Sequence, residues 1–328
     1  MKFIDFKNHL RASYSFAVEE YIMKNAKFDD EYFLFWRTNP CLMIGRFQNT
    51  LEEINKEFAK ENHIEITRRN SGGGTVYTDP ECWQFSFITF KKDGKAKDFK
   101  EFTTPVIDAL KKLGANAEFN NRNDLNIDSK KFSGNAQYST DNRFLHHGTL
   151  LFDTNLDNLV LSLKVNDEKI LSKGIKSVRD RVTNLKPHLQ NPQMNSIEFR
   201  NEMIQLLKGD METIYLSEQD LQEINNIENS KFNTWEWNYG ASPEFNLSKS
   251  QRFEGGKLEI QLLVKNGIIR DCKIFGDFFC SGNINEICDS VIGCKYQKNE
   301  IENKLLKTNA ANMLYKISFN ELLSCFVN

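Results

Sequence analysis

The residues best suited to chemistry lie between positions 68 and 77, where the chain reads Arg-Arg-Asn-Ser-Gly-Gly-Gly-Thr-Val-Tyr. Without a Cβ, glycine lets backbone N–H groups approach an anion closely, and arginine offers a fork of donors that matches phosphate. A tight turn beside two solvated cations would give the same composition. Taken alone, this stretch leaves both a phosphate site and a turn open.

Three later segments carry further polar residues. They read Asn-Arg-Asn-Asp-Leu at 121–125, Lys-Lys-Phe-Ser-Gly-Asn-Ala at 130–136 and His-His-Gly-Thr-Leu-Leu at 146–151. Each is weak alone, because a lysine pair in a charged run is usually solvated. Adjacent strand residues point to opposite faces, so His146 and His147 cannot bind one metal ion together, and a structural role is favoured for the pair.

In this order the four segments resemble the lipoate–protein ligase family, which is related in fold to biotin protein ligases. The resemblance continues through 173–179, 181–184, 237–245 and 252–253, so it covers nearly the whole chain. It implies an α/β (α+β) fold: a biotin/lipoate ligase-like catalytic domain with a mixed sheet, then a small α+β domain. We expect the catalytic domain at 1–246 and the accessory domain at 247–328.

The resemblance also implies a reaction. Lipoate and ATP give lipoyl-AMP and pyrophosphate, and the lipoyl group then passes to a lysine of an acceptor protein. The implied acceptors are the E2 lipoyl domains of 2-oxoacid dehydrogenases and the glycine cleavage H protein. Two departures from the family pattern, Thr78 where histidine is frequent and Asn121 where glycine is frequent, leave this reaction intact.

The resemblance implies that Lys131 is the catalytic residue. Adenylation brings the lipoate carboxylate against the α-phosphate of ATP, and fixed positive charge is needed between these two anions. The residues implied to bind ATP are Arg69, Gly74, Thr75, Val76, Tyr77 and Lys131. Those implied to bind lipoate are Ser71, Gly72, Gly73, Lys131 and His147. Direct roles for Ser71 and Tyr77 compete with plain loop hydrogen bonding and packing.

The resemblance also implies a metal position. Asn123 and Asp124 stand where an amide and a carboxylate could hold Mg²⁺ against phosphates. A capped turn would explain Asp124 nearly as well. Arg179 and Arg181 would belong to a loop that closes over the adenylate, or else would simply be solvated.

Three alternatives stay open. A lipoyl- or octanoyltransferase that works through a cysteine thioester needs a thiolate near the lysine, and no cysteine lies between Cys82 and Cys272. A biotin ligase would alternate arginine and glycine in its glycine-rich motif. A non-catalytic lipoate-binding protein would not need Lys131 and Arg69 together with the glycines.

Composition indicates which classes of partner and which cellular compartment to expect. The net charge of −2 argues against a general nucleic-acid or membrane-surface binder. Seven dispersed cysteines without a CxxC pair favour reduced thiols. No segment approaches the roughly 18 apolar residues of a membrane span, and positions 1–10 lack a signal-peptide core. We expect a cytoplasmic protein with no nucleic-acid and no membrane partner.

Hydrophobic periodicity places the elements that must position these residues. It predicts helices around 14–22, 99–113 and 197–207, and strands at 32–36, 41–45, 64–68, 85–90 and 144–152. Residues 180–195 look irregular, and turn formers at 238–252 indicate a linker. Beyond it, Asn266-Gly267 predicts a hairpin over 258–275, followed by one helix at 284–292. We expect this small domain to be a mobile cover without a catalytic group.

Overall fold

The computed structural model describes residues 1–6, 9–25, 27–48, 50–91, 98–120, 123–163, 180–239, 247–265 and 267–327. The chain divides into two compact units. The first comprises Met1–Met43, Leu51–Arg68 and Val76–Asn238. The second comprises Ile44–Thr50, Arg69–Thr75 and Tyr239–Asn328, so the glycine-rich loop groups with the C-terminal part of the chain.

The elements up to Asn238 mix strands with helices. In chain order they are β1 (Lys2–Ile4), α1 (Ala12–Lys24), β2 (Tyr32–Arg37), β3 (Cys41–Ile44), α2 (Thr50–Glu53), α3 (Lys56–Glu61), β4 (Glu65–Arg68), β5 (Val76–Thr78), β6 (Cys82–Phe90), α4 (Phe99–Lys112), β7 (Glu118–Phe119), β8 (Asp124–Ile127), β9 (Lys130–Ser139), β10 (Arg143–Leu151), α5 (Leu156–Leu161), α6 (Ser196–Lys208), β11 (Thr213–Ile214), α7 (Glu218–Ile227) and α8 (Trp235–Asn238). A 3₁₀ turn at Lys186–His188 and a π-helical turn at Glu228–Phe232 complete the series.

The main sheet has eight strands in the order β11-β1-β2-β6-β10-β9-β8-β7. Strand β1 is parallel to both neighbours, and the pairs from β2 to β7 are antiparallel. A second sheet has the order β4-β3-β5. The mixed main sheet confirms the predicted α+β class.

Both faces of the main sheet are buried, which explains the almost unbroken apolar sequence of β2. Phe33 and Phe35 enter one core cluster, which also contains Val106 from α4 and Phe199 from α6. The alternate residues of β2 enter the other cluster, under α1. Because successive strand residues face opposite ways, a strand covered on both faces must be apolar throughout.

The predicted helices of this unit are confirmed with small shifts at their ends. Helix α1 covers the segment whose apolar spacing predicted it. Helix α4 begins after Asp98, whose side chain accepts a hydrogen bond from the N–H of Lys100. Helix α6 begins with a capping box between Asn195 and Glu198 and ends at a glycine. No helix among the described residues is long and apolar enough to cross a membrane.

The second unit contains a three-stranded antiparallel sheet, β12 (Leu247–Phe253), β13 (Gly256–Lys265) and β14 (Ile268–Gly276). The predicted hairpin is therefore confirmed, with Gly267 at a φ of 72° in its turn. Its helices are α9 (Asn285–Val291), α10 (Lys298–Leu305), α11 (Ala310–Met313) and α12 (Phe319–Phe326). Helix α9 was predicted, and the three later helices were missed.

The predicted linker at 238–252 is wrong where it overlaps β12. That strand reads Leu-Ser-Lys-Ser-Gln-Arg-Phe and is mostly exposed. It lies at an edge of its sheet, so it lacks the apolar alternation by which a half-buried strand is recognised. Residues 240–246 lie outside the described part of the chain.

Candidate active site

Lys131 lies at the start of β9, just after a strained turn. The two residues between β8 and β9, Asp128 and Ser129, both have positive φ, 49° and 64°. Tight hairpin turns of this kind favour asparagine or aspartate followed by glycine, because a Cβ is disfavoured in the left-handed region, so Ser129 stands where glycine is preferred. The hairpin therefore forms despite its turn sequence, held by the pairing of the two strands.

A bulge then sets the direction of the Lys131 side chain. Ser133 pairs with Leu125, but Lys131 pairs with Asn126, so Phe132 has no partner on β8. An extra residue of this kind re-aims the side chains beside it. As a result Lys131 lies over Gly134, where a Cβ would stand only 3.2 Å from the lysine Nζ.

Asp124 receives the lysine ammonium. It is the cross-strand partner of Gly134, and its Oδ1 lies 2.7 Å from Nζ of Lys131. Glycine at 134 leaves the space through which the lysine side chain reaches this carboxylate. The structure thus brings Lys131 and Asp124 together as an ion pair, a pairing that the sequence analysis did not foresee.

The backbone of Lys131 is fixed on its other edge as well. It forms a parallel bridge with Val182, and its carbonyl accepts a hydrogen bond of 2.9 Å from the N–H of Thr183. Arg181, predicted for a closing loop, directly precedes this bridge and is exposed. Arg179 lies outside the described residues, as does Asn121.

Asn123 locks the hairpin to the next part of β9. Its amide nitrogen donates to the carbonyl of Asn135 at 3.0 Å, and its own carbonyl accepts from both the backbone and the side chain of Asn135. These reciprocal bonds hold the strands together beside the bulge. The Asn135 Oδ1 lies 3.2 Å from Nε2 of His146, which extends the network into the sheet.

His146 and His147 lie on opposite faces of β10. His146 is fully buried and stacks on Phe102 with ring centroids 4.8 Å apart. Burial lowers its pKa well below the usual value, because the charged imidazolium would lose its solvation. This environment supports the structural role expected for His146.

His147 belongs to a buried polar network on the other face. Its Nδ1 lies 3.0 Å from Oε1 of Glu19, which also accepts a bond of 2.6 Å from the hydroxyl of Ser86. The indole N–H of Trp36 donates to that hydroxyl at 2.9 Å. The sequence analysis missed Glu19, Ser86 and Trp36. A signal existed, since Glu19 lies within a helix segment that is otherwise largely apolar.

His147 and Lys131 lie far apart on the main sheet. His147 pairs with Ala136, five residues beyond Lys131, which corresponds to about 17 Å of extended strand. The first unit therefore brings Lys131, Asp124 and Asn123 together and places His147 farther along the same sheet.

In the second unit, Arg69 organises the glycine-rich loop. Its guanidinium donates to the carbonyls of Gly72 and Gly74 at 2.8 and 2.7 Å, and its Nε donates to the Ser71 hydroxyl at 3.1 Å. Arg69 is only 5% exposed. The guanidinium thus binds the loop's own carbonyls, a role that the predicted contact with ATP did not include.

The loop is closely packed on the segment that follows β3. A Cβ on Gly45 would lie 1.8 Å from the carbonyl oxygen of Gly73, so only glycine fits at position 45. Gln48 accepts from the N–H of Gly45 at 2.9 Å and from the hydroxyl of Thr75 at 3.0 Å. Thr75, predicted to bind ATP, therefore has a structural partner within this unit.

Val76 and Tyr77 belong to β5 in the first unit. Val76 pairs with Met43, and the Tyr77 ring is almost fully buried. The Tyr77 hydroxyl accepts from the amide of Asn158 at 3.4 Å, and burial raises the pKa of Tyr77 to about 12. Burial of the ring and the hydrogen bond to Asn158 are a sufficient structural reason for a tyrosine at position 77.

Arg68, the last residue of β4, is clamped by the end of the first unit. Its backbone N–H donates to Oδ1 of Asn238 at 2.8 Å, and its Nε donates to the carbonyl of Trp237 at 2.9 Å. In return, the Trp237 indole donates to the carbonyl of Arg68 at 2.8 Å. Two of the three points at which the chain leaves the first unit, after 68 and after 238, are thereby tied together.

Two family models match the chain in succession. The lipoyl protein ligase A/B catalytic domain matches residues 11–208, and the bacterial lipoate protein ligase C-terminus matches residues 242–326. The chain belongs to the lipoate–protein ligase family. It is therefore an ATP-dependent ligase by family, which confirms the resemblance drawn from its motifs.

Individual lipoate–protein ligases match over nearly their whole length. Lipoate-protein ligase LplJ of Bacillus subtilis is 42% identical, with 98% of this chain and 99% of LplJ covered. Lipoate–protein ligase 1 of Staphylococcus aureus is 38% identical, with 98% and 99% covered.

Solved structures agree with the fold. The bipartite lipoate protein ligase of Thermoplasma acidophilum, studied with its E2 lipoyl domain, gives a TM-score of 0.66 at 28% identity, covering 75% of this chain and 98% of that chain. Lipoate-protein ligase A bound with ATP gives 0.60 at 27% identity, covering 70% and 94%. The LipL1 protein of P. falciparum in complex with lipoate gives 0.78 at 23% identity, covering 98% and 96%, and supports the fold alone.

Proposed function

We propose that this ligase activates lipoate with ATP to form lipoyl-AMP and transfers the lipoyl group to a lysine of an acceptor protein. The observation that supports this most directly is the ammonium of Lys131, which a bulge turns over Gly134 to within 2.7 Å of Asp124. A lysine held in this way is positioned before any substrate binds.

The first step needs that charge. A carboxylate oxygen of lipoate attacks the α-phosphorus of ATP, and the bond between this phosphorus and the oxygen bridging to the β-phosphate breaks. Pyrophosphate leaves, and the mixed anhydride lipoyl-AMP forms. Lys131 neutralises the two anions as they meet, and a preformed cation does so without reorganisation.

We assign Mg²⁺ to Asp124, with Asn123 as a weaker candidate. Magnesium commonly takes one or two carboxylates together with phosphate oxygens and waters, so a single partly exposed aspartate fits this demand. The amide nitrogen of Asn123 already donates to Asn135, which leaves the side-chain oxygen Oδ1 of Asn123 as the atom that would bind the metal. The metal would offset negative charge on the phosphates while Lys131 holds the carboxylate of lipoate.

The remaining site residues keep the roles that the family resemblance implies. We assign ATP binding to Arg69, Gly74, Thr75, Val76 and Tyr77 as well as to Lys131, and lipoate binding to Ser71, Gly72, Gly73, His147 and Lys131. For His147 the support is its buried bond to Glu19, which fixes the ring on the face of β10 that packs against α1. For Arg69 the support is indirect, because its hydrogen bonds to the carbonyls of Gly72 and Gly74 hold the loop that would meet ATP.

In the second step the acceptor amine attacks the acyl carbon of lipoyl-AMP, and AMP leaves. We propose E2 lipoyl domains as acceptors, because the related Thermoplasma ligase was studied with its own E2 lipoyl domain. We extend the proposal to the glycine cleavage H protein as a second lipoyl acceptor. We further propose residues 1–246 as the catalytic domain and 247–328 as the accessory domain.

A thioester transferase is the main alternative. It needs a reactive cysteine, and neither of the two cysteines in the first unit is suited to that role. The thiol of Cys82 is fully buried, and burial raises its pKa, which opposes thiolate formation. Cys41 is likewise buried with a raised pKa. Neither thiol has the exposed, electropositive setting of a reactive cysteine.

The test is lipoate-dependent exchange of labelled pyrophosphate into ATP, followed by mass-shift analysis of purified acceptor domains. A ligase should catalyse both exchange and a lipoyl mass increase that requires ATP. A transferase would modify the acceptor from an acyl-carrier donor without exchange, and a binding protein would do neither. Either of those results would refute the proposal.

A further inference from the structure

The glycine-rich loop rests on a turn that follows β14 in the second unit. The N–H of Gly73 donates to the carbonyl of Phe278 at 3.2 Å. A Cβ on Gly72 would lie 2.4 Å from that same carbonyl oxygen, and one on Gly73 would lie 3.2 Å from the ring of Phe279. The backbone of the loop therefore lies directly against residues 278 and 279.

This turn is itself held rigidly. Phe278 is fully buried and stacks on Phe47, with ring centroids 4.8 Å apart and planes within 8°. Gly276 donates to the carbonyl of Phe47 at 2.6 Å, and the carboxylate of Asp277 accepts from the backbone N–H of Lys257. The turn at 276–279 is thus a rigid support for the loop, and it is called the support below.

The support and Arg69 act on opposite groups of the loop. Arg69 binds the carbonyls of Gly72 and Gly74, while Phe278 accepts the N–H of Gly73. Between them Gly73 is held at a φ of 90°, which a residue with a side chain rarely adopts. The loop's conformation is therefore determined by protein contacts before a ligand binds.

We propose that Phe278 and Phe279 are positioning residues for the adenylation reaction. They act through the glycine-rich loop, which they contact directly and whose conformation sets where its backbone can meet lipoate and ATP. The inference rests on the proposed function for its kinetic consequence. Its structural part, that the Phe279 ring holds the loop, stands on the contacts alone.

The test uses Phe279→Leu in the full-length protein, because Phe279 contacts the loop through its ring while Phe278 is part of the core. The matched control is Phe326→Leu, the same substitution at a buried phenylalanine on α12 of the same unit. Hydrogen exchange of the peptide covering 69–75 reports on the loop. Lipoate-dependent pyrophosphate exchange gives KM and kcat.

We expect Phe279→Leu to speed amide exchange in the 69–75 peptide about tenfold and to raise KM for lipoate and ATP by about tenfold or more, since small displacements of a binding group are costly. Phe326→Leu should lower the melting temperature while leaving both readouts near wild type. Unchanged loop exchange in Phe279→Leu, unchanged KM values, or equal effects in Phe326→Leu would each overturn the inference.

The two proposals fail in different ways. Wild-type protein that shows no lipoate-dependent pyrophosphate exchange refutes the proposed function. Hydrogen exchange in the 69–75 peptide needs no turnover, so it still decides whether Phe279 holds the loop.

Discussion

Replacing Lys131 by methionine removes the ammonium and keeps a side chain of similar length. In the structure the ammonium lies 2.7 Å from Asp124, and the two side chains are 42% and 24% exposed. Ion pairs with this much exposure contribute about 0–1 kcal/mol to stability. The variant should therefore fold, with a melting temperature lowered by no more than about 4 °C.

The effect on catalysis should be much larger. The ammonium opposes charge that develops as the carboxylate approaches the α-phosphate, and removing one preorganised donor of this kind costs about 3 kcal/mol or more. That loss corresponds to roughly a hundredfold or greater fall in the rate of adenylate formation. A change of this size separates a catalytic group from a surface lysine.

The assay is lipoate-dependent exchange of labelled pyrophosphate into ATP, measured beside thermal unfolding. Lys130→Met is the matched control, because Lys130 is the preceding residue of β9 and is exposed. It should retain nearly wild-type exchange. A folded Lys131→Met protein with wild-type exchange, or an equal loss in both variants, would refute the assignment of Lys131.

Four further predictions test other parts of the structure. Gly134→Ala should slow pyrophosphate exchange about tenfold with little change in melting temperature, because its Cβ would lie 3.2 Å from the lysine ammonium; wild-type exchange would contradict this. Trp237→Phe should lower the free energy of unfolding in urea by about 1 kcal/mol, because the Arg68 carbonyl loses its indole donor; an unchanged midpoint would show that the clamp contributes nothing. His146 has a lowered pKa in the folded state, so unfolding binds a proton once the pH falls below its ordinary value of 6.5. Stability should therefore decrease between pH 7 and 5 by up to about 1.4 kcal/mol per pH unit, and His146→Gln should flatten that slope. Ending the chain after residue 246 should impair pyrophosphate exchange more than transfer from synthetic lipoyl-AMP, because it removes the partners of the 69–75 loop within the second unit; a folded truncation that adenylates normally but cannot transfer would show an acceptor-docking role instead.

The sequence predicted those elements whose burial follows a simple period. Helix α1 and the β13–β14 hairpin were found because an apolar stripe or a turn signal marks them directly. Strands β8 and β9 were missed, since their polar residues serve the site and their turn uses Asp128 and Ser129 in place of asparagine and glycine. Local signals fail where tertiary pairing determines the backbone.

The chemistry of the site was predicted by residue type, but its geometry was not. Lys131 was identified from its motif, yet the bulge at Phe132 that turns it toward Asp124 depends on the register between two strands. Similarly, Glu19 meets His147 only because α1 packs on the sheet. The setting of Glu19 in a largely apolar helix marks it as unusual, but its contact with His147, 128 positions away, cannot be read from a single sequence.

The glycine-rich loop shows how one residue can satisfy two demands. Glycine at 72 leaves room for the Phe278 carbonyl, and glycine at 73 permits a φ of 90°, so the fold requires both even where no anion binds. A substitution at either glycine therefore alters the fold and any ligand contact at once, and its kinetic effect cannot be divided between them. A substitution of Phe279 avoids this difficulty. Its ring contacts the loop but is not part of it, so the loop's own backbone and glycines stay unchanged. A rise in KM for Phe279→Leu that accompanies faster amide exchange in the 69–75 peptide therefore traces to the loop's conformation.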